Sequence, residues 1–178
     1  MKPDLNLVLA GFGGQGLLFA GKVIAYAGLI EGREVSWLPS YGPEMRGGTA
    51  NCSVCVSDIP IGSPLVLAPG ALIAMNLPSY DKFIDTVKPG GTVIVDSSMI
   101  LKEVERTDVK VFYVPATKLA EDTGLKGLGN VILLGKLFSE LGFCSSDALD
   151  EAILKCVPAS KPQMIEYNRQ AIKLGMQA

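Results

Sequence analysis

The sequence contains no histidine among its 178 residues. Histidine is the commonest general base near neutral pH and a frequent metal ligand. Its absence excludes Ser-His-Asp and Cys-His nucleophilic catalysis, and it excludes every metal site that depends on imidazole. An enzyme that works alone is therefore disfavoured.

An excess of charge of one sign and a long apolar run are also missing. Sixteen basic and 18 acidic residues give a net charge of −2, which offers a nucleic-acid partner little electrostatic support. No stretch reaches the roughly 18 to 20 apolar residues of a membrane span, and Asp4 interrupts a very short N-terminus that has no signal-peptide pattern. We expect a cytoplasmic protein with no nucleic-acid or membrane partner. Hydrophobic residues make up 48% of the chain, which indicates a large core or a surface covered by another subunit.

Cysteine is scarce, with four residues in the chain. Cys52 and Cys55 form a Cys-x-x-Cys motif, which can indicate a metal or redox site. They fall in a predicted strand over residues 49–56, where side chains three positions apart point to opposite faces. We therefore expect reduced, structural cysteines, and we expect neither a metal site nor an iron–sulfur cluster in this chain.

The stretch Leu5–Gly16 predicts a strand, a glycine turn and the start of a helix. Its apolar run Leu5–Ala10 suits a buried strand, and the apolar segment from Leu17 suits a helix. Such a turn opens a βαβ unit and brings backbone N–H groups and the positive end of a helix towards an anionic group. The alternative is a tight turn that binds nothing. The candidate binding residues here are Gly11, Gly13, Gly14, Gln15 and Gly16.

The spacing Gly-x-Gly-x-x-Gly matches a dinucleotide fingerprint only in its phosphate half. The ribose half needs an acidic residue at the end of the second strand. The second predicted strand, Glu34–Leu38, ends in Pro39, Ser40 and Tyr41, with no carboxylate. A nicotinamide cofactor is therefore disfavoured, while another phosphate or the loop of a partner protein is still open.

A second loop, Ser40–Gly48, is predicted from its Gly-Pro and Gly-Gly pairs. It follows the second strand, so it should lie beside the glycine turn at the carboxyl edge of the sheet, where open α/β sheets bind ligands. Arg46 could bind a phosphate or carboxylate there, or it could form a solvated surface pair with Glu44. The candidate binding residues of this loop are Ser40, Tyr41, Glu44, Arg46, Gly47 and Gly48.

The rest of the chain alternates between apolar strand patterns and helical patterns. Strands are predicted at 71–75, 92–96 and 110–114, with an edge strand at 59–66; helices are predicted at 15–32, 79–87, 117–123, 130–141, 145–155 and 161–175. Ser79 is the expected cap of the second helix, and Ser145, Ser146 and Asp147 are expected to cap the fifth. The pattern predicts one α/β domain over residues 1–178, a Rossmann-like parallel-rich sheet with helices on both faces and a helical C-terminal part.

The motifs of the two loops, taken together, resemble those of the gamma subunit of 2-oxoacid:ferredoxin oxidoreductases. The motifs are Gly-Phe-Gly-Gly-Gln-Gly at 11–16 and Ser-Tyr-Gly-Pro-Glu-Met-Arg-Gly-Gly at 40–48, joined by similar stretches at 130–135 and 168–175. The resemblance implies a subunit of a CoA-dependent complex that oxidatively decarboxylates a 2-oxoacid to an acyl-CoA. The 2-oxoacid, whether 2-oxoglutarate, pyruvate or ketoisovalerate, cannot be read from this sequence.

The same resemblance implies a division of labour among subunits. The chain lacks the Gly-Asp-Gly start of a thiamine-diphosphate motif and lacks ferredoxin cysteine spacing. Thiamine diphosphate and iron–sulfur clusters would then lie on alpha, beta and ferredoxin-type delta subunits, which pass electrons to ferredoxin, and this chain would be inactive alone. Where such proteins often have an aspartate before the strand at Leu72, this chain has Pro69 and Gly70.

The resemblance also implies a role near coenzyme A, with no catalytic side chain on this subunit. Residues 13–16 would hold the pyrophosphate, with Arg46 as a charge partner. Two alternatives stand beside this hypothesis. One is a stand-alone Rossmann-type nucleotide-binding protein, and the other is a purely structural adaptor whose glycines and Arg46 pack between subunits.

Overall fold

The structure is a computed structural model, and it describes residues 2–40 and 50–178. Within these residues there are six strands: β1 Leu5–Gly11, β2 Glu34–Ser40, β3 Ala50–Ser57, β4 Ala71–Ala74, β5 Thr92–Asp96 and β6 Lys110–Val114. The helices are α1 Leu17–Ile30, α2 Leu77–Phe83, α3 Ala116–Asp122, α4 Gly129–Leu141, α5 Ser146–Cys156 and α6 Gln163–Gln177, and a 3-10 turn, Ile84–Thr86, extends α2. The predicted alternation of strands and helices is confirmed.

The six strands form one sheet in the order β2-β3-β1-β4-β5-β6. The pairs β1–β4, β4–β5 and β5–β6 are parallel, whereas β3 is antiparallel to both β1 and β2. The sheet is therefore parallel-rich, as predicted. The unit formed by β1, α1 and β2 differs from a simple βαβ unit in one respect: β2 runs parallel to β1 but is separated from it by β3.

Both faces of the sheet are covered, which explains why the central strands are apolar without interruption. Along β1, Leu7 and Leu9 face a large core shared with α1, α4 and α5, while Val8 and Ala10 face a smaller core on the other side. The smaller core also contains Tyr80 from α2, with Ile84 and Val87 after it. The prediction of helices on both faces is confirmed.

The helical C-terminal part depends on a very close approach of α4 to α6. A Cβ atom added at Gly135 would collide with the backbone of Ile172, and one added at Gly175 would collide with the backbone of Ile132. No side chain fits at either glycine, so the two helices pack backbone against backbone. The family-like stretches at 130–135 and 168–175 thus meet at one helix crossing.

Two local predictions are wrong. Residues 59–66 form no strand; the N–H of Val66 instead donates to the Ser53 hydroxyl at 3.4 Å, and prolines interrupt the segment. The second helix begins at Leu77, and its cap is Asn76, whose side chain accepts from the N–H of Ser79 at 2.8 Å. By contrast, Ser145 caps α5 as predicted, accepting from the N–H of Ala148.

All four cysteines are buried and free of disulfides. Burial raises the pKa of Cys52 to about 12, against a small opposing effect of a hydrogen bond from Trp37. Burial likewise raises the pKa of Cys144 to about 12. These thiols stay protonated at neutral pH, as expected of structural cysteines. Over the described ranges, no cluster of three Cys, Asp or Glu is placed to hold a metal ion, and no helix is long and apolar enough to cross a membrane.

Candidate functional site

The glycine turn joins β1 to α1 at the middle of the sheet, where β1 lies between β3 and β4. Gly14 has a φ of 91° and Gly16 a φ of 75°, a left-handed conformation that costs other residues about 1–2 kcal/mol. Gly16 is the N-cap residue of α1, which is why that helix begins at Leu17 rather than at the predicted Gln15. Gly13 and Gly14 are exposed, so the turn presents its backbone to the outside.

The side chain of Gln15 folds back into the turn. Its Oε1 accepts from the backbone N–H of Phe12 at 2.6 Å, and its Nε2 donates to the carbonyl of Met75 at 3.2 Å. The amide of Asn76 approaches the same Oε1 at 3.5 Å. A Cβ atom at Gly11 would lie 2.5 Å from that Oε1, so glycine at position 11 makes room for the folded glutamine.

Asn130 holds the other side of the turn. It lies in the first turn of α4, is only 3% exposed, and donates from Nδ2 to the carbonyl of Gly16 at 2.8 Å. A Cβ atom at Gly16 would come within 2.5 Å of this nitrogen. Glycine is therefore required at position 16 both by the left-handed backbone angle and by the close approach of the Asn130 side chain. The sequence pointed to Asn130 only through the family-like stretch, because the contact spans 114 residues.

The outward side of the turn is suited to an anion. Within the described residues, the backbone N–H groups of Gly13 and Gly14 have no hydrogen-bond acceptor, and no side chain caps the start of α1. The first N–H groups of a helix have no partner within the helix and carry its positive dipole end. This is the geometry that binds phosphates at helix N-termini.

The second predicted loop is bounded at the same edge of the sheet. Ser40 pairs with Asn51, which pairs with Ala10, and Ala50 pairs with Gly11. The structure thus brings Ser40 to the edge that carries the glycine turn, as predicted. The other candidates of this loop, Tyr41, Glu44, Arg46, Gly47 and Gly48, lie outside the described residues.

A cavity of about 270 Å³ opens beside the turn. It is lined on one side by Gly14 and Gln15 and on the other by Thr117, Lys126 and Gly129. Lys126 is exposed at the cavity and brings a positive charge, three residues before the first residue of α4. The cavity therefore offers space beside the free N–H groups of the turn, and its lining carries one ammonium, Lys126, and one carboxylate, Glu121.

Asp96, fully buried at the end of β5, supports the far wall of this cavity. It accepts from the N–H and the hydroxyl of Thr117 at 3.1 and 2.6 Å, and from the N–H of Ser98 at 3.1 Å. These bonds fix the start of α3, which has no cap of its own. The carboxylate is occupied, so its role is to hold the wall in place.

A larger cavity of about 360 Å³ lies elsewhere, between α5 and α6. Its lining includes Leu149, Asp150, Arg169 and Met176, and none of the residues of the glycine turn. Arg169 there is paired with Asp150 through two hydrogen bonds of 2.6 Å. By volume alone, this cavity would be the candidate site. The N–H groups without an acceptor at Gly13 and Gly14 favour the glycine turn instead.

Comparison with known proteins gives consistent similarities. A family model described as pyruvate ferredoxin/flavodoxin oxidoreductase matches residues 6–178. The ketoisovalerate oxidoreductase subunit VorA of Methanothermobacter thermautotrophicus is 39% identical over 175 residues, which are 97% of this chain and 36% of that protein. The 2-oxoglutarate synthase subunit KorC of Methanocaldococcus jannaschii is 37% identical over 161 residues, 89% of this chain and 86% of that protein.

Solved structures agree with this fold. A keto/oxoacid ferredoxin oxidoreductase gamma subunit from Geobacter sulfurreducens matches with a TM-score of 0.83 and 28% identity, covering 97% of this chain and 96% of that one. The 2-oxoglutarate:ferredoxin oxidoreductase of Magnetococcus marinus, with 2-oxoglutarate, coenzyme A and succinyl-CoA bound, matches with a TM-score of 0.87 and 24% identity, covering 99% of this chain and 31% of that one. The chain thus spans about a third of some relatives and nearly all of others.

Proposed function

Since the chain belongs to the pyruvate ferredoxin/flavodoxin oxidoreductase family, we propose that it acts as the gamma-type subunit of a CoA-dependent 2-oxoacid:ferredoxin oxidoreductase. The complex would oxidatively decarboxylate a 2-oxoacid and release an acyl-CoA. This subunit would contribute to coenzyme A binding and to assembly, with no catalytic side chain of its own.

The observation that supports the CoA role is that the glycine turn and the residues that bound the second loop, Ser40 and Ala50, lie at one edge of the sheet. The glycine turn ends β1 beside Ala50, and Ser40 reaches the same edge through Asn51. Ligands of open α/β sheets bind at the carboxyl ends of the strands. A pyrophosphate at the N–H groups of Gly13 and Gly14 would have the start of α1 behind it.

We assign the remaining cofactors to partner subunits. Thiamine diphosphate and iron–sulfur clusters would lie on alpha, beta and ferredoxin-type delta subunits, with ferredoxin as the electron acceptor. In support, this chain corresponds to 31% of the Magnetococcus marinus chain, so most of an enzyme of that size lies outside the region that it matches.

The proposal extends to the class of 2-oxoacid and not to a single member. Relatives named for ketoisovalerate and for 2-oxoglutarate are 39% and 37% identical to this chain. Two substrate names at nearly equal identity indicate that the selective pocket lies largely on other subunits. Exchange of this subunit between two such complexes should then leave substrate preference unchanged.

The test is isothermal titration of coenzyme A into the reconstituted complex, with wild-type chain and with Arg46→Ala. A charge-assisted hydrogen bond is worth about 1.5–3 kcal/mol, so we expect affinity to fall by roughly 10- to 150-fold. Lys110→Ala is the matched control, because Lys110 is an exposed cation at the start of β6, at the opposite edge of the sheet.

Two results would contradict the proposal. Unchanged affinity in an intact Arg46→Ala complex would make Arg46 an assembly residue and favour the structural adaptor. Purification of the chain from its source without companion subunits, and with a bound nicotinamide or flavin, would favour the stand-alone nucleotide-binding protein.

A further inference from the structure

We propose that Gln15 is a positioning residue, the centre of an amide clamp formed with Asn76 and Asn130 that fixes the glycine turn in its binding conformation. The clamp rests on the proposed function only for the identity of its ligand, an anionic coenzyme A. The structural part of the proposal, that three uncharged side chains hold the turn in place, can be tested on the chain without any ligand.

Gln15 ties the turn to two strands at once. Its bond to the Phe12 N–H closes the turn across three residues, and its bond to the Met75 carbonyl reaches the end of β4. The N–H of Met75 in turn donates to the carbonyl of Ala10 at 2.9 Å. The first residues after β1 are therefore held against the neighbouring strand, while Gly13 and Gly14 stay exposed, with N–H groups that have no acceptor among the described residues.

Asn76 and Asn130 fasten the turn from opposite sides. Asn76 caps α2 with its Oδ1 and approaches Gln15 Oε1 with its Nδ2, so it links the start of α2 to the turn. Asn130 reaches the Gly16 carbonyl from α4. Asn76 is 2% exposed and Asn130 3%, so both are held by packing.

An amide is the side chain that this arrangement requires. Gln15 must accept from Phe12 and donate to Met75 in the same place, and a carboxylate or an ammonium can do only one of these. A carboxylate would also place negative charge under a turn that binds an anion, and it would lower that affinity. Three neutral amides fasten the backbone and leave its positive potential intact.

The variants separate the parts of the clamp. Gln15→Met has a similar length and removes both hydrogen bonds. Gln15→Glu keeps an acceptor for the Phe12 N–H but cannot donate to Met75. Asn76→Asp keeps the cap of α2 and removes the amide that approaches Gln15. Gln163→Met is the matched control, since Gln163 is exposed at the start of α6.

The first readout is amide hydrogen exchange of the full-length chain without ligand. In Gln15→Met we expect exchange at the Phe12 N–H to be roughly tenfold faster than in wild type, the effect of one lost hydrogen bond. Gln15→Glu should keep most of that protection, and Gln163→Met should keep all of it. Unchanged protection of Phe12 in a folded Gln15→Met chain would overturn the clamp.

The second readout is the kinetics of the reconstituted complex. A looser turn should raise the KM for coenzyme A roughly tenfold, with kcat and the KM for the 2-oxoacid unchanged. If Phe12 loses protection but the KM for coenzyme A does not move, the clamp stands and the proposed CoA role fails. If the KM rises while Phe12 stays protected, Gln15 contacts the ligand directly and the clamp is wrong.

Discussion

The two edges of the sheet are fastened by different chemistry. At the amino edge, the 8%-exposed Arg33 donates to Asp58 at 2.6 Å, to Asp4 at 3.1 Å and to the carbonyl of Phe143 at 3.0 Å. At the carboxyl edge, the glycine turn is fastened by the amides of the clamp. One edge uses a buried charge with several partners, and the other uses neutral groups beside the candidate site.

The difference shows what each edge can tolerate. A guanidinium has five donors and joins several chain segments at once, which suits an edge that only needs to be held together. Carboxylates such as Asp4 and Asp58 beside the glycine turn would instead repel an anionic ligand or compete with it for the N–H groups of the turn. Stability and binding should therefore respond separately to substitutions at the two edges.

The largest loss of stability is expected for Arg33→Met. The substitution keeps an apolar stem but leaves two carboxylates and several carbonyls without their donor, so the free energy of unfolding should fall by about 3 kcal/mol. Urea unfolding measures this fall. Affinity for coenzyme A in the assembled complex should be unchanged, and a parallel loss of affinity would show that the two edges are coupled.

A smaller loss of stability is expected for Gly16→Ala, together with weaker binding. A left-handed alanine and the displaced Asn130 amide should cost about 2 kcal/mol in free energy of unfolding. Gly32→Ala is the control, because Gly32 has a φ of 72° and no atom within 4 Å of an added Cβ. Chemical denaturation of both variants isolates the Asn130 contact as their difference. Equal losses in the two variants would contradict a role for that contact.

The smallest effect is expected for Glu31→Gln, in acid. Partial burial raises the pKa of Glu31, but hydrogen bonds from Ser145 and the ammonium of Lys2 outweigh it and lower the pKa below 4.5. A lowered pKa in the folded state stabilises the protein above the unfolded pKa, and this stabilisation is lost as pH falls through the folded value. As the pH falls below about 5, the wild type should therefore lose more stability than the variant. An equal loss of stability in the wild type and in Glu31→Gln over this range would contradict the lowered pKa of Glu31.

Local patterns predicted most of the fold. Apolar runs indicate the central strands, and Ser145 indicates the start of α5, because capping depends on neighbours in sequence. The sequence does contain a signal for the cap of α2: Asn76 directly follows the predicted strand 71–75 and stands two residues before Pro78, which favours the first turn of a helix. The strand expected at 59–66 failed because its β-propensity could not offset two prolines.

Contacts between distant residues were beyond sequence reasoning. The insertion of β3 between β1 and β2 is a choice of strand partner, and no local pattern encodes it. The glycine turn lies where the sequence predicts it, but the bonds of the candidate binding residue Gln15 to Phe12 and Met75 follow from the folded arrangement and not from its place in the motif. The role of Asn130 depends on α4 packing beside the turn, which only the assembled structure shows.

The antiparallel β3 also bears on the order in which the sheet assembles. Strands β2 and β3 are adjacent in sequence and pair with each other, so their contact closes a short loop and costs little chain entropy. The parallel partners β1 and β4 are instead separated in sequence by α1, by this hairpin and by the segment that follows it. Their pairing therefore closes a much longer loop. Local contacts of this kind form faster than distant ones. We therefore expect a β2–β3 hairpin to form first, with β1 docking on its inner edge and the glycine turn taking its shape only when β4 arrives.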